Sequence, residues 1–168
     1  MPRFARRYVK AVEAVNYRVG RMAMYLLFVM MVVLLWSSAS KTFFNPSLWT
    51  LEVAQFLMVA YYMLGGPYSM QLGSNVRMDL LYGGWSDRTK AWADALTILA
   101  LIFYLGVLLY GGISSTTYAI EYGERSYSAW RPYMAPIKIV MCIAIVLMLL
   151  QATAIFLKDL AKIRGEEI

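Results

Sequence analysis

The chain contains no histidine and only one cysteine, Cys142, among its 168 residues. The absence of histidine excludes bis-histidine haem ligation, histidine general-base catalysis and the common zinc sites. A lone cysteine cannot form an internal disulfide or a C-x-x-C redox pair, and Cys142 lies inside an apolar run, where a thiol is usually a small buried hydrophobe. We therefore expect a protein that is not an enzyme and that holds no cofactor and no metal.

Charge is also scarce. Only 15% of the residues are charged, whereas 61% are hydrophobic and the mean hydropathy is +0.55. Soluble domains carry nearer a quarter of charged residues. The net charge of +6 does not indicate a nucleic-acid partner, because the lysines and arginines lie at the edges of apolar runs, as they do in membrane proteins.

The long uncharged runs predict an all-α integral membrane protein, with a single membrane domain over residues 1–168 and four transmembrane helices. The predicted spans lie at about 20–40, 48–72, 91–120 and 137–158. Most of the 16 lysines and arginines fall in the two tails and in the connection between the second and third spans. The positive-inside rule then predicts that both termini lie in the cytoplasm, and in a bacterial inner membrane the 41–49 and 121–136 connections would face the periplasm.

The N-terminal segment, residues 2–18, has the pattern of an amphipathic helix at the membrane surface. Its apolar residues recur at helical spacing and share one face: Phe4, Tyr8, Ala11, Val12 and Val15. Cations on the other face are candidates for contact with phospholipid headgroups: Arg3, Arg6, Arg7 and Lys10. A second interpretation stays open, in which the segment is only a basic flank that sets the orientation of the first span.

The second span opens with a helix-start signal. Asn45-Pro46 fits an N-cap followed by proline at the first helical position, and Trp49 is placed to anchor the helix at the membrane interface. Glu52 lies one turn further on, where the N-terminus of a helix favours negative charge. These features predict that the second helix begins near Asn45.

A stripe of small residues follows in the same span. Gly65, Ser69 and Gly73 recur every four residues, which is the small-xxx-small spacing that lets another helix approach closely. We predict that these three residues form a helix–helix contact face. The alternative is that the glycines make no specific contact, since glycine is frequent in membrane helices.

Ionisable chemistry inside the spans is sparse. No aspartate, glutamate, lysine or arginine falls near the middle of a predicted span, where a proton or ion pathway would need one. The sequence therefore predicts an accessory or structural subunit of a membrane assembly. Two alternatives stay open: a self-contained homo-oligomeric transporter, for which Glu52 is the only candidate acid, and the membrane anchor of a redox complex.

Short motifs follow one another along the whole chain. They are Phe44-Asn45-Pro46 with Trp49-Thr50-Leu51-Glu52, Gly65-Gly66, Val76-Arg77-Met78-Asp79-Leu80-Leu81, Ser86-Asp87-Arg88, and Gly123-Glu124-Arg125-Ser126 with Trp130, Pro132 and Pro136-Ile137-Lys138. In this order and spacing they resemble the small (Q-type) membrane subunit of tripartite ATP-independent periplasmic (TRAP) transporters. Two places depart from the family pattern: Leu51 replaces the first of two acids, and Ser74-Asn75 stands where many members have a histidine.

The resemblance implies a function and two protein partners. In such transporters a periplasmic binding protein captures an organic acid anion, and a large membrane subunit moves it by a sodium-driven elevator motion. The small subunit packs beside the large one and widens its static scaffold. By this resemblance, candidates for the interface with the large subunit are Trp49, Glu52, Gly65, Ser69 and Gly73.

The same resemblance suggests roles for two connections between helices. Arg77 and Asp79 are candidates for fixing the cytoplasmic turn. Residues in the 121–136 connection are candidates for contact with the binding protein: Glu124, Arg125, Trp130 and Arg131. The substrate and the coupling ion are left open, because their contacts would lie in the other two components.

Overall fold

The structure, a computed structural model, describes residues 3–73 and 87–164. Helices make up most of this part: α1 spans Arg3–Phe43, α2 Thr50–Leu72, α3 Asp87–Glu121 and α4 Ala135–Arg164. Within the described ranges there is no β-strand, only one isolated bridge between Arg125 and Tyr133. The predicted all-α class is confirmed.

Three of the four helices are long and apolar enough to cross a membrane: α1, α3 and α4. In α2 the polar and small residues Gln55, Gly65, Gly66, Ser69 and Gln71 interrupt the apolar sequence. Its 23 residues would still extend about 34 Å, against about 30 Å for a hydrocarbon core. A fourth span through α2 stays a prediction.

Successive helices are antiparallel. The hydroxyl of Thr50, at the start of α2, donates a hydrogen bond to Ser37 near the end of α1, whereas Tyr68 lies against Gly20 much earlier in α1. In the other pair, the ammonium of Lys138 at the start of α4 reaches the carbonyl of Ser115 late in α3. The α1–α2 turn and the α3–α4 connection therefore lie at one end of the bundle, and the two termini lie at the other.

The last helix, α4, lies at the centre and packs against all three others. Its most buried positions include several alanines, which let neighbouring helices come close: Ala144, Ala152, Ala154 and Ala161. Ile145 and Ala152 belong to a core cluster with Leu105 of α3, around which Met63 and Met70 of α2 also pack. By contrast α3 is covered mainly by α4 and leaves most of its surface outside the bundle.

The N-terminal segment is not a separate helix, because α1 runs unbroken for 41 residues, or about 61 Å. The predicted interfacial amphipathic helix is therefore not confirmed. The apolar face was also predicted one residue out of register: Phe4 and Val15 are 80% and 47% exposed, whereas Val9 is 2% exposed. The helix α1 contains no proline, and Gly20 is held against Tyr68, so nothing breaks α1 between its basic and apolar halves.

Packing on α4 sets the register of this segment. Val9 and Val12 form a cluster with Ala154, and the Nδ2 of Asn16 donates a hydrogen bond of 2.7 Å to the Oε1 of Gln151. Asn16 and Gln151 are each only 1% exposed. Two more polar links join the same helices: the Tyr8 hydroxyl lies 2.7 Å from the Thr153 hydroxyl, and Lys158 forms an ion pair with Glu13.

The buried amide pair generates a stability prediction. Gln151→Leu removes the acceptor and leaves the Asn16 amide group buried without its partner, so the free energy of unfolding should fall by about 1–3 kcal/mol. The double variant Asn16→Leu/Gln151→Leu makes both sides apolar and should recover most of that loss. Thermal unfolding of the purified chain in one detergent checks both, and equal unfolding temperatures for Gln151→Leu and the unsubstituted chain would contradict the prediction.

Candidate interaction surfaces

One face of α2 is less covered by the other described helices than the rest of its surface. Its residues recur at helical spacing: Leu51, Gln55, Met58, Tyr62, Gly65, Ser69 and Leu72. Leu51, Met58, Tyr62 and Leu72 are 52%, 48%, 63% and 61% exposed, and Gln55 is exposed with them. We call this set the outward face of α2.

The predicted small residues Gly65 and Ser69 lie on this outward face. They line a groove of about 450 Å³ between α1 and α2, beside Tyr61, Tyr62 and Gly20. A Cβ added at Gly65 would meet no atom within 4 Å, so no described helix of this chain fills the space in front of it. The groove is large enough to admit side chains from outside the chain.

Gly73 has a different local role from Gly65. It follows the last residue of α2 with a left-handed backbone, φ 64° and ψ 20°, and its N–H caps the carbonyls of Met70 and Ser69. A residue with a Cβ is strained in this conformation, and glycine is not. Gly73 therefore ends α2, and its assignment to a partner interface stays a prediction.

Other glycines make the close helix contacts within the chain. A Cβ at Gly20 would lie 2.5 Å from Tyr68, one at Gly66 would lie 3.0 Å from Met148, and one at Gly112 would lie 3.3 Å from Cys142. The sequence does not predict these three contacts, because spacing identifies small residues without showing which neighbour faces them. The Gly65-Gly66 pair is thus divided: Gly66 packs on α4, whereas Gly65 faces outward.

A cluster of hydroxyl groups closes the turn between α1 and α2. The Ser47 hydroxyl lies 3.0 Å from those of both Ser40 and Thr50, and Thr50 donates a further hydrogen bond of 3.0 Å to Ser37. This cluster ties residues 44–49 to the end of α1, so α2 begins at Thr50 and the predicted start near Asn45 was wrong. Trp49 follows Ser47 in the turn and is 39% exposed.

Glu52, in the first turn of α2, is buried within the chain. It is 7% exposed, and none of the described residues donates a hydrogen bond to either of its carboxylate oxygens. It shares a helix face with Met63, Gly66 and Met70, the residues that pack towards α4. The carboxylate that was predicted to contact another subunit therefore lies inside the bundle, whereas Trp49 is partly exposed.

The connection between α3 and α4 is a short ordered hairpin. Backbone hydrogen bonds run from Ser126 N to Pro132 O and from Met134 N to Glu124 O, at 2.9 and 3.0 Å. The Arg125 guanidinium donates to the Tyr133 hydroxyl and lies 4.2 Å from the centre of that ring. Two of the predicted contact residues, Glu124 and Arg125, therefore have partners inside the chain.

Residues at the tip of the hairpin point outward. Trp130 is 45% exposed, Arg131 is exposed, and Tyr127, which sequence analysis did not select as a contact residue, is fully exposed. Arg131 has a left-handed backbone with φ 50°, which is uncommon for a residue other than glycine, and its N–H donates to the Ser128 hydroxyl at 3.2 Å. Glu124 forms an ion pair with Lys138 that fastens the base of the hairpin to α4. The tip is thus a fixed, aromatic and basic projection.

The remaining predicted residues fall into two groups. Arg6, Arg7 and Lys10 are exposed on α1, beyond the end of α2, and Arg3 is the first residue of α1. Arg77 and Asp79 lie outside the described residues.

The long apolar helices and the scarcity of charge define a multi-pass helical membrane protein. The model of one protein family, described as "Tripartite ATP-independent periplasmic transporters, DctQ component", matches residues 30–162, which is most of the chain. The chain belongs to this family, whose members are the small membrane components of TRAP transporters, and the predicted resemblance is confirmed. A search of curated proteins finds no match to the chain.

The buried carboxylate of Glu52 generates the second prediction. Glu52→Gln removes a buried charge to which no described residue donates a hydrogen bond, so the unfolding temperature of the purified chain should stay the same or rise. Leu51→Gln, next to it on the outward face, is the matched control for adding an amide at the surface. A fall of several degrees for Glu52→Gln alone would show that the carboxylate has a stabilising partner.

Proposed function

We propose that this chain is the small scaffold subunit of a sodium-driven TRAP transporter in a bacterial inner membrane. It packs against the large membrane subunit and supports uptake of an organic acid anion that a periplasmic binding protein delivers. In this proposal four helices cross the membrane and both termini are cytoplasmic. The 74–86 connection, with Arg77 and Asp79, then forms the cytoplasmic turn, and the cations at the start of α1 contact phospholipid headgroups.

The observation that carries the proposal is the outward face of α2. Gln55 on this face is exposed one to two turns into the helix, where hydrocarbon offers its amide no hydrogen-bond partner. Gly65 and Ser69 line an open groove further along the same face. A polar group and small residues together on one side of a membrane helix are typical of contact with another helix. Because the family is a component of tripartite transporters, the partner that we propose for this face is the large membrane subunit.

The hairpin between α3 and α4 supports the second contact, with the binding protein. Its exposed tip combines Tyr127, Trp130 and Arg131, and tryptophan, tyrosine and arginine are the residue types that dominate binding energy at protein interfaces. The tip is held by backbone hydrogen bonds and by the Glu124–Lys138 ion pair. A projection that is already ordered loses little conformational freedom when a partner binds.

The homo-oligomeric transporter is the rival function that a specific observation favours, because Glu52 is an acid buried near a helix end. Such a transporter would move its substrate when the purified chain is reconstituted alone. In the proposed function, uptake requires the large subunit, and Glu52→Gln supports uptake in the assembled complex. If the chain alone takes up substrate and Glu52→Gln abolishes that uptake, the rival function replaces the proposal.

The groove beside Gly65 generates the third prediction. Gly65→Leu fills space that no described atom of this chain occupies, so the isolated chain should keep its unfolding temperature. The same substitution should reduce the amount of large subunit that co-purifies with the tagged chain several-fold, because it blocks the approach of the partner helix. Gly106→Leu on α3 is the matched control, since it also faces open space but lies far from the groove.

Two results would count against this part of the proposal. Equal co-purification for Gly65→Leu and Gly106→Leu would remove the groove from the interface. If the unsubstituted chain brings down no large multi-span protein from its own membranes, the assignment as a transporter subunit fails.

The tip of the hairpin generates the fourth prediction. Arg131→Gly removes the guanidinium while suiting the left-handed backbone, so the hairpin should keep its fold and the chain its unfolding temperature. The concentration of binding protein that gives half-maximal uptake in proteoliposomes should rise roughly tenfold, as for the loss of one strong interface contact. Arg131→Lys, which keeps the charge, should raise this concentration less than Arg131→Gly does. Unchanged values for both Arg131→Gly and Trp130→Ala would exclude the tip as a docking surface.

A further inference from the structure

A second groove, of about 380 Å³, lies between α3 and α4, apart from the outward face of α2. Its walls are almost wholly apolar and include Tyr104, Val107, Ile137 and Met141. At one end of the groove are the charged side chain of Lys138 and the polar residue Ser115. The groove is therefore apolar along its length, and at its mouth lies an ammonium group that is ion-paired with Glu124.

The dimensions of the groove match one leaflet of a bilayer. Lys138 immediately precedes an uncharged run of α4, so it lies at the level where headgroups begin. Its ammonium reaches the carbonyl of Ser115, so Ser115 lies at the same depth. Tyr104, at the other end, is about 16 Å from Ser115 along α3, which is close to half of the hydrocarbon thickness of about 30 Å.

Small residues of α3 open the groove. A Cβ at Gly111 would meet no atom within 4 Å, whereas the adjacent Gly112 is already in contact distance of Cys142. A larger residue at Gly111 would therefore occupy the groove without disturbing the α3–α4 contact. The α3–α4 pair is closely packed at Gly112 and open one residue away.

The ammonium of Lys138 has a donor to spare. It carries three N–H groups, of which one bonds Glu124 and one is directed at Ser115. The Lys138 side chain is 18% exposed, so its remaining donor is within reach of an anionic group at the mouth of the groove. A phosphate oxygen suits this remaining donor, because phosphate oxygens accept short hydrogen bonds from ammonium groups, and it would share the ammonium with the Glu124 carboxylate.

We propose that this groove binds one glycerophospholipid, with an acyl chain lying along α3 from Ser115 to Tyr104 and the phosphate at Lys138. The bound lipid shields the exposed side of the α3–α4 contact and holds Lys138 at the base of the hairpin. The proposal rests on α3 and α4 crossing the membrane and does not depend on which protein covers α2. The chemistry recognised is a phosphodiester joined to a hydrocarbon chain of leaflet length.

Titration of the delipidated full-length chain with dioleoylphosphatidylglycerol, followed by native mass spectrometry, tests the proposal. One lipid should bind more tightly than the rest. Gly111→Leu should weaken that binding roughly tenfold by filling the groove, whereas Gly106→Leu, elsewhere on α3, should leave it unchanged. Equal binding by these two variants would mean that only the general lipid shell is being observed, and would overturn the proposal.

The headgroup contact has its own matched pair. Lys138→Gln and Glu124→Gln both break the same ion pair, but only the first removes the ammonium. Lys138→Gln should weaken binding of the tight lipid roughly tenfold, and Glu124→Gln should preserve or strengthen it. Equal loss in both variants would show that the ion pair maintains the local fold and that Lys138 does not bind phosphate. Equal affinity for dioleoylglycerol, which has no phosphate, would overturn the headgroup assignment.

Discussion

Four alanines of α4, which are almost completely buried, allow this helix to lie between the other three, and the rest of the arrangement follows from that packing. Inside a membrane no hydrophobic effect drives helices together. Close approach at small residues therefore stabilises the bundle through dispersion contacts between the helices. Gly66 and Gly112 extend the same principle to α2 and α3. Because one helix supplies the centre, α1, α2 and α3 each keep a face that no described helix of this chain covers.

Those uncovered faces differ in chemistry. The outward face of α2 combines Gln55 with Gly65 and Ser69, so it offers an amide and close approach to another helix. The α3–α4 groove is apolar with a cation at one end, Lys138, so it suits a chain-like amphiphile. The two proposals therefore assign a protein partner and a lipid to different surfaces of the same small bundle.

Composition and motif order were sufficient to predict the helical class and the family, because apolar runs and their charged edges are properties of the sequence alone. Spacing also predicted that Gly65 and Ser69 would share a face. Spacing did not predict that Gly20, Gly66 and Gly112 make the contacts within the chain, because that depends on which helix lies opposite. The prediction of which face of the N-terminal segment is buried failed for a related reason. Asn16 is buried by its hydrogen bond to Gln151, a residue far away in the sequence.

The two most buried polar sites show how the ends of the bundle differ. The Asn16 amide donates to the Gln151 carbonyl oxygen across two helices, so this pair selects one alignment of α1 on α4. At the opposite end the hydroxyl cluster around Thr50 selects the α1–α2 turn, and Glu52 lies beside it without a hydrogen-bond partner among the described residues. The first-turn N–H groups of α2 carry a positive partial charge, which offsets part of the cost of burying that carboxylate. Glu52 therefore fits the electrostatics of a helix terminus, and the chain's own polar contacts align the helices at both ends of the bundle.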